Sequence, residues 1–281
     1  MTLTPNFFIV GTPKSGTTSL FHYLQEHPEV FLPEIKEPHF FSCPEVQNTY
    51  YKIKIIESKE DYQELYQATK SYLAVGDLSS SYLFHTETAK RISAYNLESK
   101  IIIVLRNPVE RAISHYLMDV NLGYINVPLI EILQNKDKYK LFYQEYVALG
   151  FYEKQIANYK KHFPDAQLHI ILSSSLYTNT VETVKDICRF INVSPDFTPD
   201  FSTKHNQYRE PRFGFIKQIL KSDILKKGIP TNLKDKLKPL IFNLKAEKPK
   251  LEAEKQLLKA LYEKSIVETE MLISKDLTSW K

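Results

Sequence analysis

The chain has 281 residues, of which 43% are hydrophobic, enough to bury the core of one large α/β domain or of two small ones. Its net charge of +4 suits anionic ligands, but this excess is too small to indicate a nucleic-acid-binding protein. Its two cysteines, Cys43 and Cys188, exclude a disulfide framework and a cysteine-based metal cluster. Two cysteines are typical of a reducing compartment, and the sequence shows neither a signal peptide nor a membrane span, so we expect a cytoplasmic protein.

Short apolar runs alternate with helical patterns along the chain. Four runs are expected to form parallel strands: Phe7–Val10, Tyr72–Val75, Ile101–Leu105 and Leu168–Leu172. Helices are predicted over Asp61–Thr69, Thr86–Tyr95, Pro108–Val120, Tyr143–His162 and Leu251–Ile273. This alternation predicts an α/β fold with a doubly wound, parallel central sheet of four or five strands flanked by helices, and ligands at the carboxyl ends of the strands.

A phosphate-binding loop is predicted in the stretch Phe7–Leu20, whose sequence is FFIVGTPKSGTTSL. It joins the first predicted strand to residues after Thr17 that have the apolar spacing of a helix. Such a loop presents unpaired N–H groups, and the dipole of the following helix favours negative charge there. Lys14 adds a full positive charge, so the stretch predicts an anion site.

The loop departs from the usual ATP/GTP loop, G-x-x-x-x-G-K-S/T, although Gly11 and Gly16 keep its spacing. Thr17 stands where that loop carries its lysine, and the lysine lies inside the loop, at Lys14. The order P-K-S-G-T-T after an apolar strand resembles the 5′-phosphosulfate loop of sulfotransferases that use 3′-phosphoadenylyl sulfate (PAPS). The resemblance implies a P-loop-like fold and a nucleotide bound by Lys14, Ser15, Gly16, Thr17 and Thr18.

The proline-bounded stretch Pro33–Phe41, PEIKEPHFF, carries a candidate acid–base pair. Because prolines keep the residues before them extended, Glu37 and His39, two positions apart, are expected to face the same side. One interpretation is a carboxylate that takes a proton from an acceptor hydroxyl, with the histidine positioning the acceptor. The other is a surface turn that Phe40 and Phe41 anchor to the core.

A second resemblance bears on this pair. The sequence KEPHFF is similar to the N-E-V-H-F-F stretch of heparan sulfate 3-O-sulfotransferases, in which the glutamate is the catalytic base. This implies Glu37 as the base, His39 beside it, and Lys14 as the cation at the leaving oxygen. Glu34, the nearby alternative carboxylate, does not match the motif position.

The stretch Gly76–Tyr82, GDLSSSY, leaves two interpretations of Asp77 open. The carboxylate would hold magnesium in an ATPase-like site, or it would belong to a turn or cap. In carbohydrate sulfotransferases the matching segment, E-K-T-P-A-Y, has a lysine near the reacting group. Leu78 takes that position here, which puts a second catalytic lysine in doubt.

The second strong motif is Ile101–Met118, IIIVLRNPVERAISHYLM, a buried strand followed by a helix. Arg106 leaves the strand at the ligand end of the sheet, and Ser114 lies two turns into the helix. An arginine fork and a hydroxyl suit a terminal phosphate. The block resembles the 3′-phosphate site of the sulfotransferase family, L-R-D/N-P-x-x-R-x-x-S-x-Y, which implies Arg106 and Ser114 as the 3′-phosphate ligands.

Two other side chains of this helix are expected to be structural. For Arg111 we expect an ion pair on the helix surface. For His115 we expect a packed or solvent-facing position rather than a catalytic one.

The later part of the chain is basic. Ser202–Phe215 resembles the segment that closes over the nucleotide in many sulfotransferases, which implies contacts from Arg212 and Arg209; a solvated basic turn is the alternative. The lysine-rich segment 217–259 is expected to be helical within a single sulfotransferase domain over 1–281. Amphipathic helices such as Leu233–Leu244 would rest on a membrane surface or an anionic polymer, or present solvated faces.

Most of the chain thus resembles PAPS-dependent sulfotransferases, specifically bacterial-type members similar to heparan sulfate O- and N-sulfotransferases. The resemblance implies transfer of the sulfonate of PAPS to a hydroxyl or amine of a carbohydrate or glycolipid acceptor, with release of 3′,5′-ADP and without a metal. Two alternatives stay open. One is an ATP-dependent small-molecule kinase with Asp77 on magnesium, and the other is a non-catalytic nucleotide-binding protein of the same fold.

Overall fold

A computed structural model describes residues 4–47, 49–51, 53–67, 71–201, 210–211, 242–243 and 249–281. At its centre is a sheet of five parallel strands in the order β2-β3-β1-β4-β5. The strands are β1 (Phe7–Gly11), β2 (Val30–Phe31), β3 (Ala74–Leu78), β4 (Lys100–Leu105) and β5 (Leu168–Leu172). The predicted parallel α/β sheet of four or five strands is confirmed.

Helices cover both faces of the sheet. The described residues form α1 (Thr17–Gln25), α2 (Cys43–Val46), α3 (Lys59–Glu64), α4 (Thr86–Tyr95), α5 (Pro108–Leu122), α6 (Leu129–Gln134), α7 (Lys140–Tyr146), α8 (Tyr152–His162), α9 (Ser175–Thr178), α10 (Thr180–Phe190) and α11 (Glu252–Ile273). Two-residue strands β6 (Glu210–Pro211) and β7 (Phe242–Asn243) form a separate antiparallel pair. None of the helices in the described ranges combines the length and the apolar character needed to cross a membrane.

The central strands are buried on both sides because their side chains alternate between two cores. Phe8 and Ile101 belong to the core that contains residues of α4, α5, α8 and α11. Phe7 and Ile102 belong to the core formed with α1 and α10. Continuous apolar runs such as IIIVL in β4 are what a strand covered on both faces requires.

The prediction of a single helix over Tyr143–His162 is wrong. The chain forms α7 and α8, separated by a 3-10 turn over Ala148–Gly150. At Gly150 a Cβ atom would lie 2.6 Å from the hydroxyl of Tyr262 in α11. Close packing of α11 against this turn therefore depends on the glycine, and the chain changes direction there.

Two other predicted helices also differ from the structure. The helix predicted over Asp61–Thr69 is shorter and starts earlier, as α3, because the Ser58 side chain accepts a hydrogen bond from Asp61 N and caps it. The helix predicted over Leu233–Leu244 is wrong at 242–243, which pair as β7. The rest of that helix lies outside the described residues, as does the lysine-rich segment up to residue 248.

Candidate active site

The phosphate loop connects β1 to α1 at the carboxyl edge of the sheet. Gly16, the N-cap of α1, has a left-handed backbone (φ 91°) and contributes no side-chain cap to the first-turn N–H groups. A Cβ atom on Gly16 would lie 3.1 Å from the Tyr177 hydroxyl. The guanidinium of Arg106 donates to the Lys14 carbonyl oxygen at 3.0 Å, which holds the loop against the end of β4.

A cavity of about 390 Å³ brings most of the predicted site residues together. They are Lys14, Gly16, Thr17, Thr18, Glu37, His39, Arg106 and Ser114. The side chain of Ser15 does not line this cavity; it is fully buried, and its hydroxyl lies 2.5 Å from that of Thr12. Arg212 and Arg209 lie outside the described residues, so their nucleotide contacts remain predictions.

The three candidate catalytic residues share an unusual backbone conformation. Lys14, Glu37 and His39 have φ values of 69°, 62° and 57°, in the left-handed region that non-glycine residues avoid. The expectation of an extended segment at Glu37 and His39 is therefore wrong. Their amides are held instead by β3 and the turn after it: Glu37 N donates to the Leu78 carbonyl oxygen (2.9 Å) and His39 N to Ser79 Oγ (3.1 Å).

The Glu37 carboxylate is bonded on both oxygens. Lys36 Nζ lies 2.7 Å from Oε1, and the Ser80 hydroxyl donates to Oε2 at 2.7 Å. Burial opposes ionisation, but the charges of Lys36 and His39 and these hydrogen bonds hold the pKa of Glu37 below its ordinary value. Glu37 is thus a carboxylate at neutral pH, with lone pairs left to accept a further hydrogen bond.

His39 stands next to this carboxylate, with Nε2 at 3.8 Å from Glu37 Oε2. Its Nδ1 lies 2.8 Å from Ser81 Oγ, which is itself 2.8 Å from Ser42 Oγ. Burial lowers the pKa of His39, although the Glu37 charge opposes this, so the ring is neutral at pH 7. A neutral imidazole held by hydroxyls can orient a hydrogen-bonded ligand without adding charge.

Arg106 and Ser114 line the same cavity, from the end of β4 and from α5. Arg106 also donates to Glu110 Oε2 at 3.1 and 3.2 Å. This pair is exposed on the glutamate side, and an exposed ion pair contributes only about 0–1 kcal/mol. Glu110 therefore holds the Arg106 guanidinium only weakly.

Comparison with known proteins identifies the family. The model of the sulfotransferase domain matches residues 4–212. The chain belongs to the sulfotransferase family. Over its whole length it is similar to a sulfotransferase structure from Alicyclobacillus acidocaldarius, with a TM-score of 0.73, 29% identity and 99% of each chain covered.

Two curated relatives match shorter stretches of this chain. The membrane-associated sulfotransferase kil1 of Dictyostelium discoideum is 37% identical over 112 residues, 40% of this chain and 22% of the relative. The mouse heparan sulfate glucosamine 3-O-sulfotransferase 3B1 is 27% identical over 192 residues, 67% of this chain and 46% of the relative. The chain thus spans less than half the length of either relative. The predicted membership of a family similar to heparan sulfate sulfotransferases is confirmed.

The surface ion pair expected for Arg111 is wrong. The side chain of Arg111 is fully buried and donates to the carbonyl oxygens of Glu145 (3.0 Å) and Tyr146 (2.6 Å) at the end of α7. His115 is packed, as expected, and also lines the cavity, with Nε2 2.7 Å from the Tyr51 hydroxyl. Burial and the neighbouring Arg111 and Lys14 charges lower the pKa of His115 well below its usual range.

Several residues that line the cavity were not found from the sequence. Besides His115, the cavity is lined by further side chains to which the sequence analysis gave no role: Val46, Thr49, Tyr51, Ile53, Phe84, His85, Met118, Glu145, Leu149 and Tyr177. They come from α2 and the chain after it, from the turn after β3, from α5, from α7 and the turn after it, and from α9. No local pattern marks such positions, because only the tertiary structure brings them to one cavity.

Asp77 is a buried structural residue of β3. Its carboxylate accepts hydrogen bonds from the hydroxyls of Tyr62 (2.7 Å), Tyr82 (2.9 Å) and Ser79 (3.1 Å), and it does not line the cavity. These donors let β3 run to Leu78 instead of ending at the predicted Val75. Asp77 itself therefore belongs to a strand, and the predicted turn begins after it, at Ser80. Because its carboxylate does not line the cavity, it is not placed to hold magnesium there. Leu78 is buried in the core, so position 78 contributes no cation to the site.

Asp77 gives the protein a testable pH dependence of stability. Burial raises the pKa of Asp77 to about 6, against the three hydrogen bonds that lower it. Because the pKa of Asp77 is higher in the folded than in the unfolded state, folding favours the protonated carboxyl group. Its contribution to the free energy of unfolding is therefore complete below about pH 4 and is lost as the pH rises through 6. We expect the unfolding free energy of the wild type, relative to Asp77→Asn, to fall by about 1–3 kcal/mol between pH 4 and pH 7. Urea unfolding at both pH values measures this difference in free energy, and Asp137→Asn, at an exposed position, is the control. A difference between the wild type and Asp77→Asn that does not change with pH would contradict the prediction.

Proposed function

We propose that this chain transfers the sulfonate group of PAPS to a hydroxyl of an acceptor and releases 3′,5′-ADP. One observation carries the proposal: a single cavity contains a cationic phosphate loop, an arginine–serine pair and an ionised glutamate. The loop and the pair suit the two phosphate-bearing ends of one nucleotide, and the glutamate suits an acceptor hydroxyl. Membership of the sulfotransferase family supports the same reading.

The residues present fit the nucleotide. Lys14 and the first-turn N–H groups of α1 would hold the 5′-phosphosulfate, where Gly16 keeps the backbone free of a side chain. Arg106 and Ser114 would hold the 3′-phosphate. Because the Arg106 guanidinium also donates to the Lys14 carbonyl oxygen, the two phosphate sites are fixed relative to one another.

Three side chains account for the chemistry. Glu37 takes the proton of the acceptor hydroxyl as the acceptor oxygen forms its bond to sulfur. Lys14 and the loop N–H groups neutralise the charge that grows on the bridging oxygen as the bond from that oxygen to sulfur breaks. His39 orients the acceptor, held by Ser81. Bound PAPS supplies the electrophilic sulfur, and the chain supplies positioning and charge stabilisation, as in phosphoryl transfer.

The acceptor is proposed to be a carbohydrate or glycoconjugate. This rests on the relatives whose names specify heparan sulfate glucosamine as the substrate. The kinase alternative has lost its support, because the buried Asp77 is not part of the cavity. The non-catalytic alternative predicts nucleotide binding without transfer.

Calorimetry with three nucleotides in the presence of EDTA tests the proposal. We expect 3′,5′-ADP to bind about 10–100-fold more tightly than ADP or ATP, because hydrogen bonds to charged groups each contribute about 1.5–3 kcal/mol. Arg106→Ala should bring the affinity for 3′,5′-ADP close to that for ADP. Arg189→Ala, which removes an exposed arginine paired with Asp186, is the matched control. A preference for ATP that requires Mg²⁺ would instead identify a kinase.

A further inference from the structure

The proposed chemistry leaves several cavity-lining side chains without a role. We select the uncharged ones from α2, from the chain after α2, from the turn after β3 and from the turn after α7, and name them the acceptor wall: Val46, Thr49, Tyr51, Ile53, Phe84 and Leu149. Five of its six side chains are aliphatic or aromatic, and none is charged. The hydroxyl of Tyr51 lies 2.6 Å from Asp119 Oδ1 and 2.7 Å from His115 Nε2, so that ring is fixed in place.

One member of the acceptor wall, Phe84, lies close in the chain to residues that hold the proposed catalytic base. Phe84 follows the turn that contains Ser80, the residue that donates to Glu37, and Ser81, the residue that holds His39. Phe84, Ser80, Ser81 and His39 all line the same cavity as Glu37. A molecule whose hydroxyl reaches Glu37 therefore has apolar surface beside its reacting end.

The charges around this wall do not suit a polyanion. Among the cavity-lining residues that the structure describes, Lys14 and Arg106 are the only lysine and arginine, and both are assigned to the nucleotide. Burial lowers the pKa of all three lining histidines, the third being His85, so they are neutral at pH 7. Burial raises the pKa of Glu145, another lining residue, to about 7, so this group is neutral or negative.

We propose that the acceptor is an uncharged glycoside whose apolar aglycone packs against the acceptor wall. The inference rests on the proposed sulfonate transfer. A neutral sugar presents the hydroxyl to Glu37 and stacks on aromatic rings such as Phe84, and an alkyl chain covers the aliphatic residues. An N-sulfated chain would bring negative charge towards Glu37 and Glu145, and the two cations among the described lining residues are already assigned to the nucleotide.

Three acceptors separate these chemistries: octyl β-D-glucoside below its micelle-forming concentration, methyl β-D-glucoside, and an N-sulfated heparan sulfate octasaccharide. The measurement is transfer of labelled sulfonate from PAPS by the full chain. Burial of even a few methylene groups should raise kcat/KM for the octyl over the methyl glucoside by about tenfold or more. The octasaccharide should be the poorest acceptor. Equal rates for the two glucosides, or a faster rate for the octasaccharide, would overturn the inference.

Two variants locate the effect. Phe84→Ala should lower kcat/KM for both glucosides, because the sugar of each would stack on this ring. Ile53→Lys, at a half-exposed position that tolerates a polar side chain, should lower the preference for the octyl glucoside by about tenfold. The control is Leu97→Ala, which replaces an exposed leucine that does not line the cavity and should leave the preference for the octyl glucoside unchanged. Binding of 3′,5′-ADP by each variant shows that it is folded. If 3′,5′-ADP binds but none of the three acceptors is sulfated, the acceptor class is wrong; if 3′,5′-ADP does not bind, the proposed function itself fails.

Discussion

Replacing Glu37 by glutamine is expected to lower turnover by about 10²-fold or more while the affinity for 3′,5′-ADP stays nearly unchanged. Glutamine keeps the size of the side chain and can still accept from Ser80, but it cannot take a proton from the acceptor. Turnover is measured with whichever of the three acceptors is sulfated fastest, and nucleotide affinity by calorimetry. A loss confined to kcat and kcat/KM is the signature of a group that acts only in the transition state.

The matched control for this experiment is Glu34→Gln. Glu34 is an exposed carboxylate three residues earlier in the same stretch, and it does not line the cavity. Its replacement should leave turnover within about twofold of the wild type, as expected for a surface position. Near-normal turnover in the Glu37 variant would remove Glu37 as the base.

Lys14→Ala is expected to have an effect of similar size, about 10²–10³-fold in kcat, together with about tenfold weaker binding of 3′,5′-ADP. Its ammonium group lines the cavity and lies 3.2 Å from Met118 Sδ, and no second lysine stands at position 78 to share its task. Because the leaving oxygen gains charge during transfer, loss of this cation should raise the barrier more than it weakens binding.

Two further variants complete this experiment. Lys14→Arg keeps the charge with a different geometry and should recover part of the loss in kcat. Lys90→Ala removes a lysine whose side chain is 70% exposed and should change neither quantity. An increase in KM with an unchanged kcat would assign Lys14 to nucleotide binding alone.

Elements encoded by contiguous patterns were predictable from the sequence. The helix Thr86–Tyr95 and the strand Leu168–Leu172 have the bounds that their periodicity indicated. The turn from β4 into α5 was also predictable, because Asn107 accepts from the Val109 and Glu110 amides and caps a helix that has proline in its first turn. Each of these signals lies within a few residues of the structure that it specifies.

Features that depend on distant partners were not predictable. The carboxylate of Asp77 can lie inside a strand because Tyr62, 15 residues away, donates to it. Arg111 can be buried because main-chain carbonyl oxygens of Glu145 and Tyr146, more than 30 positions later, accept its hydrogen bonds. No local window contains both members of such a pair, so a strand end was placed too early at one residue and a surface ion pair was expected at the other.

The left-handed backbone at Lys14, Glu37 and His39 has a consequence for engineering. Each such residue costs about 1 kcal/mol or more relative to glycine, which adopts this conformation freely. Backbone conformation alone would favour glycine at all three positions, and such replacements would delete the side chains proposed to carry out the reaction. Mutant libraries that select for a more thermostable enzyme should therefore keep these three residues constant and vary surface positions instead.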